Sequence, residues 1–341
     1  MTNPTIKDIA NLCGVSVSTV SRAINDSEGI SSKTRNRILK TIKEVGYEPD
    51  TNARNLKISK NKIISVLIKG ITNPFFTPMI KVIEEEISKT GYAFVLNKVE
   101  ENSSEVDVAQ KMVKILKPEG IIFLGGFGLD DQEKLKSLDI PYSMTTIVDE
   151  KYIGRRASYV GIDDFRESYK MVNYLIGLGH KKIALIAARE DDRGVGKLRL
   201  EGYKKALADN NLSFDPSFVI YPPKGLNPYS LQNGYGAVKK ILNDNLDPTA
   251  IFAISDLMAI GAIKALNDMG KKVPEDYSVA GFDGLEINEF LQKPITTIVQ
   301  PTSKIAYTSV KELFNIINKN QYKQVTSFDS NLFIGQTAAK L

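Results

Sequence analysis

Small hydroxyl side chains and one arginine crowd a short stretch near the N-terminus. This stretch carries Ser16, Ser18, Thr19, Ser21 and Arg22. Hydroxyl groups near a helix start can donate to phosphate oxygens, and small side chains let a helix enter the major groove. The Arg22 guanidinium can pair with the O6 and N7 edge of guanine. The stretch therefore predicts a DNA-reading helix, and the alternative is a plain helical bundle whose serines only cap helices.

Other reactive residue types are too sparse for catalysis or metal binding. The chain has one histidine, His180, one cysteine, Cys13, and no tryptophan. These counts exclude intrachain disulfides and a cysteine-rich zinc site, and they supply no Ser/His/Asp set. The glycine-rich stretch 125–128 does not match a phosphate-binding loop. We therefore expect no enzyme activity, no cofactor and no metal, and only a structural role for His180 in a turn.

Three short helices are predicted within residues 5–46 to position the DNA-reading side chains. Thr5 with Asp8 can cap the first helix, and a glycine turn follows it. Ser16 can cap the second helix, and Ser31 or Ser32 the third. Apolar residues at helical spacing form the expected small core. They are Ile6, Ile9, Ala10, Cys13, Val20, Ile24, Ile38, Ile42 and Val45.

Positive charge is concentrated in the same part of the chain. Residues 1–60 hold ten basic and six acidic groups, whereas the remainder holds 35 basic and 34 acidic groups. This imbalance favours a polyanionic partner for the N-terminal part. Polar residues 48–61 resemble a linker, with one short helical candidate at Asn52–Lys57. A helix of about two turns is marginal in water, so we expect it to form only when something holds it.

From residue 62 onward, short apolar runs alternate with amphipathic segments. This alternation predicts βαβ units and parallel sheets, and their number favours two lobes. The predicted strands are Ile63–Ile68, Tyr92–Leu96, Gly120–Leu124, Tyr159–Ile162, Lys182–Ala187, Ala250–Ile254 and Ser278–Phe282. The predicted helices are Met79–Thr90, Phe165–Leu178, Leu198–Asn210, Leu231–Asn243 and Leu257–Met269. Ligands of such sheets bind at the carboxyl ends of the strands.

The overall composition is that of an ordinary globular protein. The chain has 341 residues, of which 42% are hydrophobic and 25% are charged. The sequence has no apolar run long enough for a membrane span, and its first residues lack the apolar stretch of a signal peptide. We therefore expect a cytoplasmic protein that does not contact a membrane.

A series of motifs along the chain resembles the lactose repressor (LacI/GalR) family. The resemblance is densest in residues 5–25 and continues, in the same order as in the family, over nearly the whole chain. The matching segments are Thr5–Asn25, Gly46–Pro49, Ala53–Leu56, Asn73–Phe76, Gly179–Ile183, Pro274–Asp276, Gly281–Asp283 and Thr296–Pro301. The resemblance implies an α-helical helix-turn-helix head and an α/β core of two lobes, similar to periplasmic sugar-binding proteins and built on parallel sheets.

The resemblance also implies DNA contacts and domain limits. The head would span residues 1–47, the hinge with its short helix 48–61, and the core 62–341. Within the core, the N-lobe would take 62–161 and 292–322, and the C-lobe 162–291 and 323–341. In the hinge, Leu56 would wedge into the minor groove beside Ala53. The base-reading positions would be Val17, Ser18 and Arg22, and the phosphate-contacting positions Thr5, Ser16, Thr19, Ser21, Asn25, Ser31 and Thr34.

Asp283 follows a predicted strand directly, at the edge where a ligand is expected. By resemblance it would bind the ligand, with Arg199, and Tyr229 falls where a relative has a stacking aromatic. The other expected ligand residues are Phe75, Phe76, Ser255, Asp256 and Gln300. Two departures from the family pattern leave the ligand open, namely Ser255 in place of an asparagine and Gly284 after Asp283. Asp256 could instead cap a helix, and Phe75 and Phe76 could instead pack in the core.

The combined expectation is a transcriptional repressor controlled by a small molecule bound between two lobes. The expected effector is a monosaccharide or disaccharide, and the alternative is a corepressor-activated regulator of the purine-repressor type. Because the C-terminal residues lack leucine heptads, we expect a homodimer on a near-palindromic operator. The competing classes are an enzyme of sugar or nucleotide metabolism and a secreted sugar-binding protein. The missing phosphate loop opposes the first class, and the basic head opposes the second.

Overall fold

The described residues fall into two compact units. The computed structural model describes residues 4–24, 29–45, 47, 62–100, 103–125, 132–148, 156–319 and 324–341. One unit lies within residues 1–60 and the other within residues 61–341. Within these described ranges, no helix combines the length and the hydropathy that crossing a membrane requires.

The described part of the first unit contains three helices, α1 Ile6–Leu12, α2 Val17–Ile24 and α3 Ser32–Val45. The Asp8 carboxylate accepts hydrogen bonds from the backbone N–H and the hydroxyl of Thr5, at 2.8 and 2.7 Å. Ser16 and Ser31 each accept from the backbone N–H three residues further on, at 3.2 Å. These contacts satisfy N–H groups that a helix start leaves free. The predicted starts of all three helices are therefore confirmed.

The interior of the first unit is small and apolar. Ile9, Val20 and Ile38 are fully buried, and Ile42 is half-buried. Val45, which was predicted to continue this stripe, is instead exposed. It is the last residue of α3, and the much shorter α1 and α2 do not cover the helix as far as this point. The buried stripe of α3 therefore ends before the helix does.

In the residues that the structure describes, the second unit contains two sheets of six strands each. The first has the spatial order β11-β5-β4-β3-β1-β2, and all its strands are parallel. Its strands are β1 Ile63–Lys69, β2 Ala93–Val99, β3 Gly120–Leu124, β4 Tyr142–Thr145, β5 Ala157–Ile162 and β11 Gln324–Phe328. The helices joined to it are α4 Thr77–Ser88, α5 Glu105–Leu116, α6 Gln132–Lys136 and α11 Thr302–Lys319. Of these, α11 packs against α4 and against β3, β4 and β5.

The second sheet has the spatial order β12-β10-β9-β8-β6-β7 and is parallel except for β12. Its strands are β6 Ile183–Ile186, β7 Val219–Ile220, β8 Ala250–Ala253, β9 Ser278–Asp283, β10 Thr296–Val299 and β12 Asn331–Phe333. Its helices are α7 Asp164–Gly177, α8 Val195–Asp209, α9 Leu231–Asn243 and α10 Asp256–Asp268. They pack in pairs, α7 with α8 and α9 with α10.

The positions at which the chain passes between the lobes correct the predicted lobe limits. The prediction gave residues 292–322 to the N-lobe, but β10 pairs in register with β9 in the second sheet. It gave residues 323–341 to the C-lobe, but β11 pairs with β5 and extends the first sheet. Each strand joins the sheet where its backbone finds a hydrogen-bonding neighbour. The chain therefore leaves the second lobe after β10, visits the first through α11 and β11, and returns with β12.

His180 has the structural role in a turn that was expected of it. It is buried after α7, where its Nδ1 lies 3.0 Å from the Thr249 hydroxyl and its Nε2 3.1 Å from the Ala339 carbonyl oxygen. Burial lowers the pKa of His180, which favours the neutral ring. The backbone N–H of Leu341 donates to the Leu178 carbonyl oxygen at 2.9 Å. This turn therefore holds the C-terminal segment against the second lobe.

Candidate functional site

A cavity opens where the carboxyl ends of strands from both sheets meet. It encloses about 950 Å³ of space, part of it open to solvent. Segments following β1, β3, β4, β6, β9 and β10 contribute to its wall. The lining residues are Lys69, Gly70, Asn73, Phe75, Phe76, Gly125, Thr146, Ile147, Arg189, Asp192, Val195, Arg199, Asn227, Pro228, Tyr229, Asp283 and Gln300. This is the edge of parallel sheets at which ligands are expected.

A buried arginine organises the charged side of the cavity. The Arg199 guanidinium lies 2.8 Å from the carboxylate of Asp164 and 3.6 Å from that of Asp283. It also donates to the Ile254 carbonyl oxygen at 2.5 Å and stacks 3.7 Å from the ring centroid of Phe282. All of its favourable contacts come from elements of the second lobe. The guanidinium is therefore held in one place before any ligand arrives.

Burial and charge oppose each other in this arginine cluster. Burial would lower the pKa of Arg199, but the nearby carboxylates of Asp164 and Asp283 outweigh that effect and raise it. Burial raises the pKa of Asp164 to about 6 and that of Asp283 well above its usual value, although Arg199 opposes both shifts. Removing a carboxylate from water penalises its charged form, which explains these directions.

Asp283 is further fixed by its neighbours and by an unusual backbone conformation. The Gln300 side chain donates to its carboxylate at 3.0 Å. The φ angle of Asp283 is +117°, and that of Thr146, across the cavity, is +82°. Non-glycine residues avoid such angles unless the surrounding structure enforces them, and they cluster at ligand sites. The predicted proximity of Asp283, Arg199 and Gln300 is thus present in the structure.

Aromatic side chains form the apolar wall. Phe75 and Phe76 lie in a short 3-10 turn after β1, and their rings meet edge to face with centroids 5.1 Å apart. Both are buried and both line the cavity, so they serve the core and the cavity at once. A Cβ at Gly125 would overlap the Phe76 ring, and glycine there leaves room for it. Tyr229 adds a third aromatic ring from the second lobe.

The structure also brings Asp192 to the cavity, a residue that was not predicted. Its carboxylate accepts from the Gly194 N–H at 2.7 Å and from the Tyr229 hydroxyl at 3.3 Å. Burial raises the pKa of Asp192, and burial likewise raises the pKa of Tyr229 well above its usual value. The sequence signal was poor because Asp192 lies in a charged loop that reads as solvated surface.

Ser255 and Asp256 lie behind the cavity wall rather than in it. Ser255 caps α10 by accepting from the Met258 N–H at 3.4 Å. Asp256 is the first residue of α10, and its carboxylate accepts from Gly284 N–H, Leu285 N–H and the Thr297 hydroxyl, at 2.8, 2.8 and 2.6 Å. Neither is among the lining residues. Their expected ligand contacts are corrected here, because Asp256 holds the loop after β9.

The described residues among the predicted DNA contacts lie at the start of α1, on and just before α2, and at the start of α3. The hydroxyl of Ser16 lies 2.7 Å from that of Ser18 and 2.8 Å from that of Thr19. Arg22 is exposed on the same helix, α2. Ser31 and Thr34 pair at 2.9 Å at the start of α3, Thr5 caps α1, and Val17 and Ser21 are half-buried on α2. Asn25, Ala53 and Leu56 lie outside the described residues.

Other lining residues went unpredicted, although some had visible signals. Lys69 ends β1, and Asn73 begins the Asn-Pro-Phe-Phe motif and accepts from the Phe75 N–H at 3.0 Å. Arg189 and Asn227 lie in loops that carry no regular pattern. Among the described residues, no cluster of side chains is suited to hold a metal ion.

Comparisons with known proteins agree with this arrangement. Residues 5–50 match the model of bacterial regulatory proteins of the lacI family, and residues 172–337 match that of a periplasmic binding protein-like domain. The transcriptional regulator MalR of Clostridium butyricum is 39% identical over 338 residues, covering 96% of this chain and 97% of MalR. This chain belongs to the lacI family. It is accordingly a transcriptional regulator with a helix-turn-helix head and an effector-binding core.

Other members of the lacI family match this regulator over nearly its full length. The transcriptional repressor PurR of Pasteurella multocida is 31% identical and covers 97% of both chains. A solved complex of the regulator CelR with cellobiose superimposes with a TM-score of 0.71 at 26% identity, over 98% of this chain and 100% of CelR. The lac repressor dimer bound to operator and an anti-inducer gives a TM-score of 0.75 at 25% identity, over 99% and 100%.

Proposed function

We propose that this regulator is a repressor whose effector is a sugar bound in the cavity between the two lobes. The observation that carries the proposal is the group of Arg199, Asp283 and Gln300 beside an aromatic wall. Carboxylates, amides and guanidinium groups hydrogen-bond to vicinal hydroxyls, and aromatic rings pack against the C–H surface of a pyranose. The solved CelR complex with cellobiose, which has the same fold, supports this assignment.

We infer that the head reads an operator through α2. In this proposal Val17, Ser18 and Arg22 contact base edges. The phosphate contacts come from Thr5, Ser16, Thr19, Ser21, Asn25, Ser31 and Thr34. The proposal extends to Ala53 and Leu56 of the hinge, which are assigned to the minor groove on resemblance alone. The lac repressor dimer bound to operator supports a homodimer on a near-palindromic site.

Sugar and operator are coupled in this proposal. If the sugar binds the operator-free state more tightly, operator DNA weakens sugar binding by the same factor. Reciprocity follows from thermodynamics and needs no particular pathway through the molecule. Measuring both affinities on the full chain therefore gives an internal check on the coupling.

A ligand screen tests the effector class. The melting temperature of the full chain would be followed with monosaccharides, disaccharides and purine bases, because a ligand of the native state stabilises it by mass action. We expect stabilisation by a sugar, and release of operator DNA by the same sugar. Stabilisation by a purine base that tightens operator binding would instead support the purine-repressor type. If no sugar shifts the melting temperature while a purine does, the proposed effector is wrong.

The assembly needs a separate measurement. Sedimentation of the full chain with and without a two-half-site operator duplex should give a dimer, with one dimer bound per duplex. A tetramer in free solution would contradict the proposed homodimer. Duplexes with one half-site deleted serve as the control, because a dimer should lose most of its affinity for them.

A further inference from the structure

A second carboxylate, that of Asp192, lines the cavity in addition to the arginine cluster. Asp192 comes from the loop between β6 and α8, and its carboxylate accepts from Gly194 N–H and from the Tyr229 hydroxyl. The arginine cluster instead uses Asp164 and Asp283. The two sets approach the same cavity, so the protein offers two separate acceptor groups to one ligand.

The local backbone leaves room for this second carboxylate. Gly196, in the first turn of α8, lies directly beneath it, and a Cβ there would overlap Asp192 Oδ2 and lie 3.0 Å from the Tyr229 hydroxyl oxygen. The Asn227 side chain accepts from the Tyr229 N–H at 3.0 Å and so orders the segment that carries the tyrosine. The pair of Asp192 and Tyr229 is thus a built feature of the wall.

The described cations that line the cavity lie close to acidic side chains. Lys69 lies 3.4 Å from Glu105, Arg199 faces two carboxylates, and Arg189 lies 3.4 Å from Asp191. Each described lining cation thus already has an acidic neighbour, and Asp192 adds one further acid. Hydroxyl groups donate to a carboxylate such as that of Asp192, whereas a phosphate or carboxylate of the ligand placed against Asp192 would be repelled.

We propose that Asp192, oriented by Tyr229 over Gly196, is a specificity-determining residue that accepts hydroxyl groups of the effector and selects uncharged saccharides over their phosphorylated forms. The inference rests on the proposed sugar effector and adds a residue and a charge preference to it. Asp192 acts by direct contact with the ligand, and Tyr229 acts as a positioning residue through its hydroxyl.

The test compares neutral and phosphorylated ligands on the full chain. Binding of maltose, cellobiose and sucrose, each beside its monophosphate, would be measured by calorimetry on the parent protein, on Asp192→Asn and on Glu190→Gln. Glu190 is exposed in the same loop and does not line the cavity, so Glu190→Gln removes the same charge as a matched control. Operator binding and the melting temperature of the unliganded variants would establish that they fold.

We expect the parent to bind at least one neutral saccharide, and its monophosphate at least about tenfold more weakly, which corresponds to about 1.4 kcal/mol. Asp192→Asn should weaken binding of the neutral saccharide by about tenfold, because hydrogen bonds to charged acceptors are stronger than those to neutral ones. It should also reduce the ratio of the affinity for the neutral saccharide to the affinity for its monophosphate. Glu190→Gln should change neither affinity. Gly196→Ala displaces Asp192 and Tyr229 without altering charge. It should weaken binding of the neutral saccharide but leave the preference for that saccharide over its monophosphate unchanged.

Two results would overturn the assignment while leaving the sugar-controlled regulator intact. One is a parent protein that binds a monophosphate as tightly as its neutral saccharide. The other is an Asp192→Asn variant indistinguishable from Glu190→Gln in both affinities. If no saccharide binds the parent and adenine or hypoxanthine does, the proposed sugar effector fails and the role of Asp192 fails with it.

Discussion

Replacing Arg199 by methionine should destabilise the effector-binding unit strongly. The variant leaves the carboxylates of Asp164 and Asp283 buried without their cation, at 1% and 4% exposure. Removing one partner of a buried ion pair typically costs about 3–5 kcal/mol. The lost stacking on Phe282 adds to that cost, because cation–π contacts away from water are worth about 2 kcal/mol. We expect a loss of about 5 kcal/mol, and a melting temperature lower by roughly 10–20 °C.

The same variant should show a diagnostic pH dependence. Arg199 opposes the raised pKa values of Asp164 and Asp283, so both should rise further when it is removed. The native state then keeps protons that the unfolded chain has released, and the free energy of unfolding falls as pH increases. The pKa of Asp164 is already about 6 in the parent, so the deficit of the variant should widen between about pH 5 and 8.

Urea unfolding of the full chain at pH 5.5 and pH 8 measures this deficit. Arg189→Met is the matched control, because Arg189 also lines the cavity but pairs with Asp191 at 45% and 83% side-chain exposure. Exposed ion pairs contribute about 0–1 kcal/mol, so the control should lose little. The reasoning is refuted if Arg199→Met costs no more than Arg189→Met, or if its deficit stays constant between the two pH values.

Three further changes probe other parts of the chain. Arg22→Ala should weaken specific operator binding by about 1–3 kcal/mol and relax one base position, measured by binding to operators varied at single positions; full selectivity in the variant would contradict a base-reading role. Gly234→Ala should lower the free energy of unfolding by about 2 kcal/mol or more, because a Cβ there would overlap the Met258 carbonyl oxygen where α9 meets α10; Gly236→Ala, on the same helix with open space around it, is the control. Burial raises the pKa of Asp256 to about 6, so the parent protein loses free energy of unfolding as pH rises from 4 to 7 and this carboxylate becomes charged. Asp256→Asn lacks this titration and should gain about 2 kcal/mol relative to the parent over the same range. Parallel curves of unfolding free energy against pH for the two proteins would contradict this.

The alternation of apolar runs and amphipathic segments predicted most of the second unit. Strand β3 and helix α9 occur at the predicted limits, Gly120–Leu124 and Leu231–Asn243. Strand β4 was not predicted, because Ser143 and Thr145 are polar although both are fully buried. Burial of such residues depends on neighbours far along the chain, and hydropathy in a short window does not report it.

The hydropathy pattern also did not predict which sheet each edge strand joins. Strand β11 is partly polar, and nothing within Gln324–Phe328 indicates which of two similar sheets it will join. The choice is made by a backbone partner, β5, more than 150 residues earlier in the chain. The predicted path crosses between the lobes as often as the observed one, but it placed the second crossing before β10 and the third before β11 instead of after them.

Some residues of the candidate site were predictable from their position in the sequence, and others were found only in the structure. Asp283 ends β9 and Gln300 directly follows β10, so position along the chain was enough to place them at the ligand edge. Asp192 became visible only in three dimensions, because its partner Tyr229 lies 37 residues away. Asp256 shows the reverse case. In the sequence, an aspartate at a helix start resembles a ligand-binding residue. In the structure, its carboxylate instead accepts hydrogen bonds from backbone N–H groups of a loop that begins 28 residues further on.

Asp164 and Gln300 lie beside passages of the chain between the lobes. Asp164 begins α7 directly after β5, the last strand before the chain enters the second lobe. Gln300 follows β10, immediately before α11 returns to the first lobe. Arg199 forms ion pairs with Asp164 and Asp283, and Gln300 donates a hydrogen bond to Asp283, so one polar network spans both passages. Through this network, a bound ligand is connected to residues beside both passages. We therefore expect Asp164→Asn, which alters a passage without removing a lining side chain, to change the coupling between effector and operator more than the affinity for the effector itself.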